Sequence, residues 1–153
     1  MCIRDRSSDL EAGDKFGRAV AIDGDTIVVG AYAEDTGGSD AGAAYVFTRS
    51  GTSWSQEAKL QASDAAANDY FGHAVGISSD TLVAGAYREG TGGSSAGSVY
   101  VFTRSGTSWS QQAKLTASDA AAYNEFGNAT AIEGDTIVTV SYTHLTLPTI
   151  YSV

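Results

Sequence analysis

The stretch AGAAYVFTRSGTSWSQEAKLQASDAAA, Ala41 to Ala67, returns as AGSVYVFTRSGTSWSQQAKLTASDAAA, Ala96 to Ala122. Across these 27 aligned positions only four differ: Ala43/Ser98, Ala44/Val99, Glu57/Gln112 and Gln61/Thr116. Segments this alike must meet equivalent surroundings, so the chain is an array of one unit and the unit's length decides the architecture. Outward from that stretch, Phe16-Gly17, Phe71-Gly72 and Phe126-Gly127 recur with a spacing of 55 residues. Asp25, Asp80 and Asp135 keep the same register, as do Gly30 and Gly85, until the third copy breaks off at Val140.

Each unit holds four strand-like runs. In the first copy Gly17 to Asp23 is rich in small residues, and Asp23-Gly24-Asp25 makes a hairpin turn. Thr26 to Tyr32 is β-branched and apolar on both alternating faces, and a glycine-rich loop from Ala33 to Gly42 leads into Ala43 to Arg49. Ser50-Gly51 then turns the chain into Trp54 to Ala62, where Trp54, Ala58 and Leu60 alternate with Ser55, Glu57 and Lys59. Four strands with short connections form an antiparallel meander. A second strand apolar on both sides requires cover on both faces, which blades stacked around an axis supply. Small Ala19 and Ala21 suit an innermost strand. The expected fold is all-β: tandem four-stranded antiparallel blades of a β-propeller, in an incomplete ring. A sandwich or a β-solenoid is the alternative. The sandwich needs no repeated unit of this length, and solenoid turns usually take fewer residues.

Eighteen glycines, eight tyrosines and a single proline among 153 residues describe short strands and tight turns. The formal charge of −9 repels phosphate backbones and anionic lipid heads, which argues against nucleic acid. No apolar stretch is long enough for a membrane-spanning helix. The one cysteine, Cys2, has no internal partner for a disulfide.

The two ends share nothing with the repeat. Residues 1–6 and 140–153 resemble translated adaptor DNA, as two readings of one transposon-end oligonucleotide. ATG TGT ATA AGA GAC AG encodes the opening residues, and its reverse complement encodes the Val140-Ser-Tyr-Thr-His144 run. The domain reading is therefore blades over 7–139, about two full repeats with partial flanking blades, between two foreign segments. The closing segment is expected not to pack as a strand set, although Ile137 to Tyr142 is β-prone.

Phe16-Gly17, then Gly30-Ala31-Tyr32, then Gly42 to Phe47 resembles the FG-GAP repeat of integrin α-subunit propellers and many secreted microbial proteins. The skeleton returns as Phe71-Gly72, Gly85-Ala86-Tyr87 and Gly97 to Phe102, with Tyr32 and Tyr87 in place of the proline of the family's name. The resemblance implies a non-enzymatic extracellular or cell-surface module for binding, adhesion or structure. Its partners would be a protein or glycan ligand and the neighbouring blades of the parent chain. The alternatives are a scaffold propeller of a larger secreted enzyme, or a calcium-binding repeat module. Integrin-type blades often carry Asp-x-Asp-x-Asp-Gly-x-x-Asp loops for calcium. Glu34-Asp35-Thr-Gly-Gly-Ser-Asp40 departs from that pattern, and Arg88-Glu89-Gly-Thr-Gly-Gly-Ser94 has lost most carboxylates and gained an arginine. Neither loop is expected to bind calcium strongly enough to matter for folding.

No residue set points to catalysis, a cofactor or a metal. His73 has Arg18 and Asn128 as its counterparts, which reads as a blade-edge position rather than a catalytic base. Thr36-Gly-Gly-Ser39 and Thr91-Gly-Gly-Ser94 read as flexible turns, since no helix follows to offer its N-terminus to phosphate. Trp54 and Trp109 read as packing residues rather than a sugar platform, and Phe16, Phe71 and Phe126 as wedges between blades. Asn128-Ala-Thr130 has the form of a glycosylation sequon, which short polar strings also produce by chance. A two-blade array should leave apolar faces bare at its ends, with Val28, Val46 and Phe47 or their counterparts exposed.

Overall fold

The computed structural model describes residues 9–142 and the backbone of 149–152; the opening adaptor-like segment lies outside the described residues. Strands β1 (Phe16–Asp23), β2 (Thr26–Ala31), β3 (Ala43–Ser50) and β4 (Ser53–Leu60) form one antiparallel sheet in sequence order. Strands β5 (Phe71–Ser78), β6 (Thr81–Ala86), β7 (Ser98–Ser105) and β8 (Ser108–Leu115) form a second sheet in the same order. A third sheet holds β9 (Ala129–Glu133), β10 (Thr136–Val140) and β11 (Thr149–Ser152) in the order β11-β10-β9. The first two sheets match strand for strand: Ile27 faces Phe47 as Leu82 faces Phe102, and both carry a bulge after the valine that precedes that phenylalanine. They are tandem blades, as the 55-residue period requires.

The seam between blades explains why β2 is apolar on both faces. Val28 and Val46 pack in one core with Phe71, Val75, Ile77 and Phe102 of the second blade, while Val29, Tyr45 and Phe47 fill the opposite face. Each such burial is worth about 1.5–3 kcal/mol. Backbones meet closely at the seam. A Cβ on Gly30 would overlap the Gly72 carbonyl, and one on Gly85 would overlap that of Gly127, so each inner strand rests on a glycine of the blade before it. Phe71 N–H donates to the Ala41 carbonyl and Phe126 N–H to that of Ala96, both at 2.9 Å. Phe71, fully buried, sits between Val28 and Val46 on one side and Tyr100 and Phe102 on the other.

Two expectations need correcting. Val28 and Val46 are fully buried and Phe47 nearly so. The valines face the second blade, and the first blade's own Phe16, Leu10 and Trp54 cover the other face. The bare apolar surface lies instead on β1, where Val20 and Ile22 are each 65% exposed, because β1 has no blade packed against its outer side. The closing segment contributes a strand: Thr149–Ser152 pairs antiparallel with β10, whose edge opposite β9 is otherwise open. Thr, Ile and Tyr are strong strand formers, and an open edge templates pairing.

Candidate functional site

The β2–β3 loops and the connections between blades gather at one end of the sheets, and the hairpin turns at Gly24 and Gly51 lie at the other. On the outer rim of the first end, Lys59 near the end of β4 reaches Asp9 Oδ2 at 2.5 Å, Glu34 Oε1 at 2.9 Å and Thr36 Oγ1 at 3.0 Å. One blade on, Lys114 reaches Asp64 Oδ2 at 2.6 Å, Glu89 Oε1 at 3.1 Å and Thr91 Oγ1 at 2.7 Å. Each ammonium also lies 5.5 Å from a buried tyrosine ring, Tyr45 or Tyr100, and the Tyr100 hydroxyl donates to Asp64 at 2.8 Å. Asp64 belongs to the connection from the first blade while Lys114, Glu89 and Tyr100 belong to the second, so the set clasps one blade to the next.

The charges respond to this packing. Burial alone would raise Glu34 and Glu89, but hydrogen bonds from their neighbours, Thr36 and Lys59 for one and Ser98, Thr91 and Lys114 for the other, hold both below the usual carboxylate range. Burial likewise opposes the ionised Asp64, and Lys114 and Tyr100 outweigh it, bringing that group down as well. Lys59 and Lys114 are raised because their carboxylate partners outweigh the burial that would lower them. Lys59 occupies Glu34 Oε1 and Lys114 occupies Glu89 Oε1, while Asp35 Oδ1 accepts from the Asp40 N–H within the first loop. Among the described residues no group of three or more His, Cys, Asp or Glu is arranged for a metal.

The loops behind the clasp differ less than their letters suggest. Glu89 is the counterpart of Glu34, and Arg88 that of Ala33. Gly42 N–H donates to the Glu34 carbonyl and Gly97 N–H to that of Glu89, both at 2.9 Å. Thr36 and Thr91 each bond to the glutamate two residues before them through backbone N–H and hydroxyl. These are pinned turns, not the flexible ones their glycines suggested.

On the inner side of the same end the backbone repeats and the side chains do not. Lys15, Tyr70 and Glu125, each just before a Phe-Gly pair, hold left-handed φ values of 58°, 57° and 50°. The glycine that follows sits in a bulge, between Phe16 and Ala19 in β1 and between Phe71 and Ala74 in β5, which aims the next residue, Arg18 or His73. Bulges and left-handed non-glycine residues re-aim side chains at a backbone cost of order 1–3 kcal/mol each, sustained only where the surrounding structure enforces them. Inner strands β1, β5 and β9 lie side by side, so Arg18, His73 and Asn128 form a row where a complete ring would have its axis.

Around His73 stand three half-exposed tyrosines. The His73 ring is 4.4 Å from Tyr87 and 5.4 Å from Tyr32, Tyr70 meets Tyr32 edge-on at 5.5 Å, and Tyr70 and Tyr87 stack at 5.6 Å. The Arg88 guanidinium lies over Tyr70 at 4.9 Å and Tyr87 at 5.6 Å. Burial lowers His73 below its ordinary value; the Asn128 carbonyl, 3.4 Å from Nδ1, opposes this and the nearby Arg18 charge adds to it. Burial raises the Tyr87 phenol against the pull of Arg88.

His73 is thus at a blade edge, as expected, but inside a cluster that sequence reasoning did not assemble. The tyrosines in place of the family's proline were its one visible signal. Trp54 and Trp109 are half-buried packing residues beneath Arg49 and Arg104, and Trp109 Nε1–H donates to Glu57 across the seam at 2.8 Å. Asn128 of the sequon is half-buried and bonds to Glu125 at 3.3 Å. Compared with known proteins, the chain matches the family profile described as FG-GAP repeat over residues 6–47, 54–102 and 109–144. The search of curated proteins returned no match.

Proposed function

The chain belongs to the FG-GAP repeat family, and from that premise we propose that it is a non-enzymatic binding module acting outside the cell or at its surface, through the inner face of the blade ends that carry the β2–β3 loops. FG-GAP propellers are generally non-catalytic modules for binding or structure and are typical of extracellular proteins. Among the described residues no helix is long and apolar enough to cross a membrane.

One observation carries the choice of binding over pure architecture. The copies differ at scattered strand and loop positions such as Asp23/Ser78, Val29/Ala84 and Asp35/Gly90, but the changes at Lys15/Tyr70/Glu125, Arg18/His73/Asn128 and Ala33/Arg88 fall together at the inner side of one blade end, where Tyr70, His73 and Arg88 meet. A structural array needs like residues at like positions, whereas a ligand site breaks the symmetry of the repeat that presents it.

The test is a triple variant, Tyr70→Glu, His73→Asn and Arg88→Ala, which installs only residues that sister copies already hold at those positions. Both proteins are labelled and applied to printed arrays of secreted-protein fragments and glycans. The expected result is at least one ligand held by the natural chain and lost by the variant at equal melting temperature. Indistinguishable profiles would make the chain an architectural repeat.

A further inference from the structure

We propose that the cluster of Arg88, Tyr70, Tyr87, His73 and Arg18 is a docking site for an acidic polypeptide segment, with Arg88 taking a side-chain carboxylate. This rests on the binding reading above and names the chemistry of the partner.

The distribution of basic residues is the first observation. Of the seven lysines and arginines among the described residues, Arg49, Lys59, Arg104 and Lys114 are engaged in ion pairs. The other three, Lys15, Arg18 and Arg88, form none with described residues, in a protein of net charge −9. All three lie at the same blade ends: Lys15 just before β1, Arg18 in its bulge, Arg88 just after β6. A strongly acidic chain that leaves its unpaired cations together has a local field opposite to its overall one, which attracts an anion to that spot.

The second observation is how Arg88 is held. Its planar guanidinium lies over Tyr70 and Tyr87 and also interacts with the Tyr87 hydroxyl, which holds the group in place, and its five N–H donors suit a carboxylate in the two-point geometry that arginine favours. That arrangement also decides between peptide and sugar. The ring faces a pyranose would stack on are occupied by the neighbouring ring and by the guanidinium, so the cluster presents ring edges and hydroxyls. Rigid tyrosines around an arginine are the residues that dominate protein interfaces.

The third observation sets the boundary. Arg88 itself lines one side of a groove of about 440 Å³ that also holds three carboxylates, Asp64, Asp69 and Glu89, and burial raises Asp69 above its usual value. That groove repels a second carboxylate, while on the inner side the carboxylate near His73 and Tyr87, Glu125, is itself bonded to Asn128. An acidic segment is thereby steered inward, across His73 toward Arg18.

The test is a fluorescence-anisotropy titration of a labelled oligoglutamate peptide with the full chain at low salt. Arg88→Ala should weaken binding at least about tenfold at unchanged melting temperature, since the first copy tolerates alanine at this place as Ala33. Arg88→Lys should also weaken it, because a lysine keeps the charge but loses the planar fork. Arg49→Ala, at the opposite end and already paired with Asp25, should leave it unchanged. Absence of peptide binding, equal binding by Arg88→Ala, or tighter binding of polygalacturonate or inorganic phosphate than of the peptide each overturns the inference. If the arrays above show a ligand lost by the triple variant while oligoglutamate fails to bind, the binding reading stands and only the acidic partner is refuted.

Discussion

Lys59 and Lys114 make the same contacts in successive blades, with a carboxylate from the preceding connection, a loop glutamate and a loop threonine. Arg18 and His73 also occupy matched backbone, in the same bulge after the same left-handed glycine, yet one is an exposed cation with no ion pair to a described residue and the other a half-buried imidazole wedged among tyrosines. Both regions lie at one end of the blades. The rim repeats its chemistry and the inner face repeats only its backbone. Chemistry that recurs with the fold is spent holding blades together, and chemistry that varies on a constant backbone is available for something outside the chain.

The largest expected effect is on the rim. Lys114→Met leaves Glu89, 9% exposed, without its cation, and removes one of the two ties from Asp64 to the second blade, the Tyr100 hydroxyl being the other. Stranding a fully buried charge costs about 3–5 kcal/mol; because Lys114 remains 20% exposed, the expected loss is about 2 kcal/mol, read by urea unfolding. A loss no larger than that of an ordinary surface substitution would erase the distinction between rim and inner face.

Acid should sharpen it. Glu34, Asp64 and Glu89 are held below their ordinary values in the folded chain, so the stability they bring is present above the usual carboxylate range and is lost as pH falls through those lowered values. Asp69 is raised and works the other way: its cost at neutral pH is relieved as it takes up a proton. The raised lysines contribute fully below the ordinary lysine value, and that contribution is lost as pH rises from there through their elevated values. His73, lowered by burial, takes a small share of stability away as pH falls through the ordinary histidine value, so thermal melts followed by circular dichroism should decline slightly below about pH 6.5 and more steeply below about pH 4. In Lys114→Met the decline should be shallower, since part of the clasp is already gone.

The smallest effect belongs to the inner face. Arg88→Ala and His73→Asn place residues that sister copies already hold, and each should change stability by no more than about 0.5 kcal/mol in the same unfolding assay. A loss of the size expected for Lys114→Met would show that the cluster is structural and weaken the case for a ligand.

The rim was within reach of the sequence but needed the right register. Set at the 55-residue period, Asp9/Asp64, Glu34/Glu89, Thr36/Thr91 and Lys59/Lys114 are matched pairs. Reading Arg88 against Glu34 hid the second glutamate and made the loops look more different than their hydrogen bonds are. The aromatic cluster was not legible in this way, because Tyr32 comes from one blade, Tyr70 from the connection and Tyr87 from the next blade, and no spacing along the chain reports a meeting across a seam.

The sequence by itself determined the repeat, the all-β class, the four strands of each blade and their turns. Alternation along a strand and glycine at a turn are local rules that a few neighbouring residues enforce, and an exact period copies them from blade to blade. Only the tertiary structure decided which faces are covered and which unlike side chains share a surface. Val28 and Val46 are buried because a second blade lies on them, Val20 and Ile22 are bare because among the described residues no blade lies on the outer side of β1, and Arg18 meets His73 because adjacent inner strands run side by side. Those outcomes depend on packing between residues of different blades, tens of positions apart in the chain as Arg18 and His73 are, a separation that local propensity does not register.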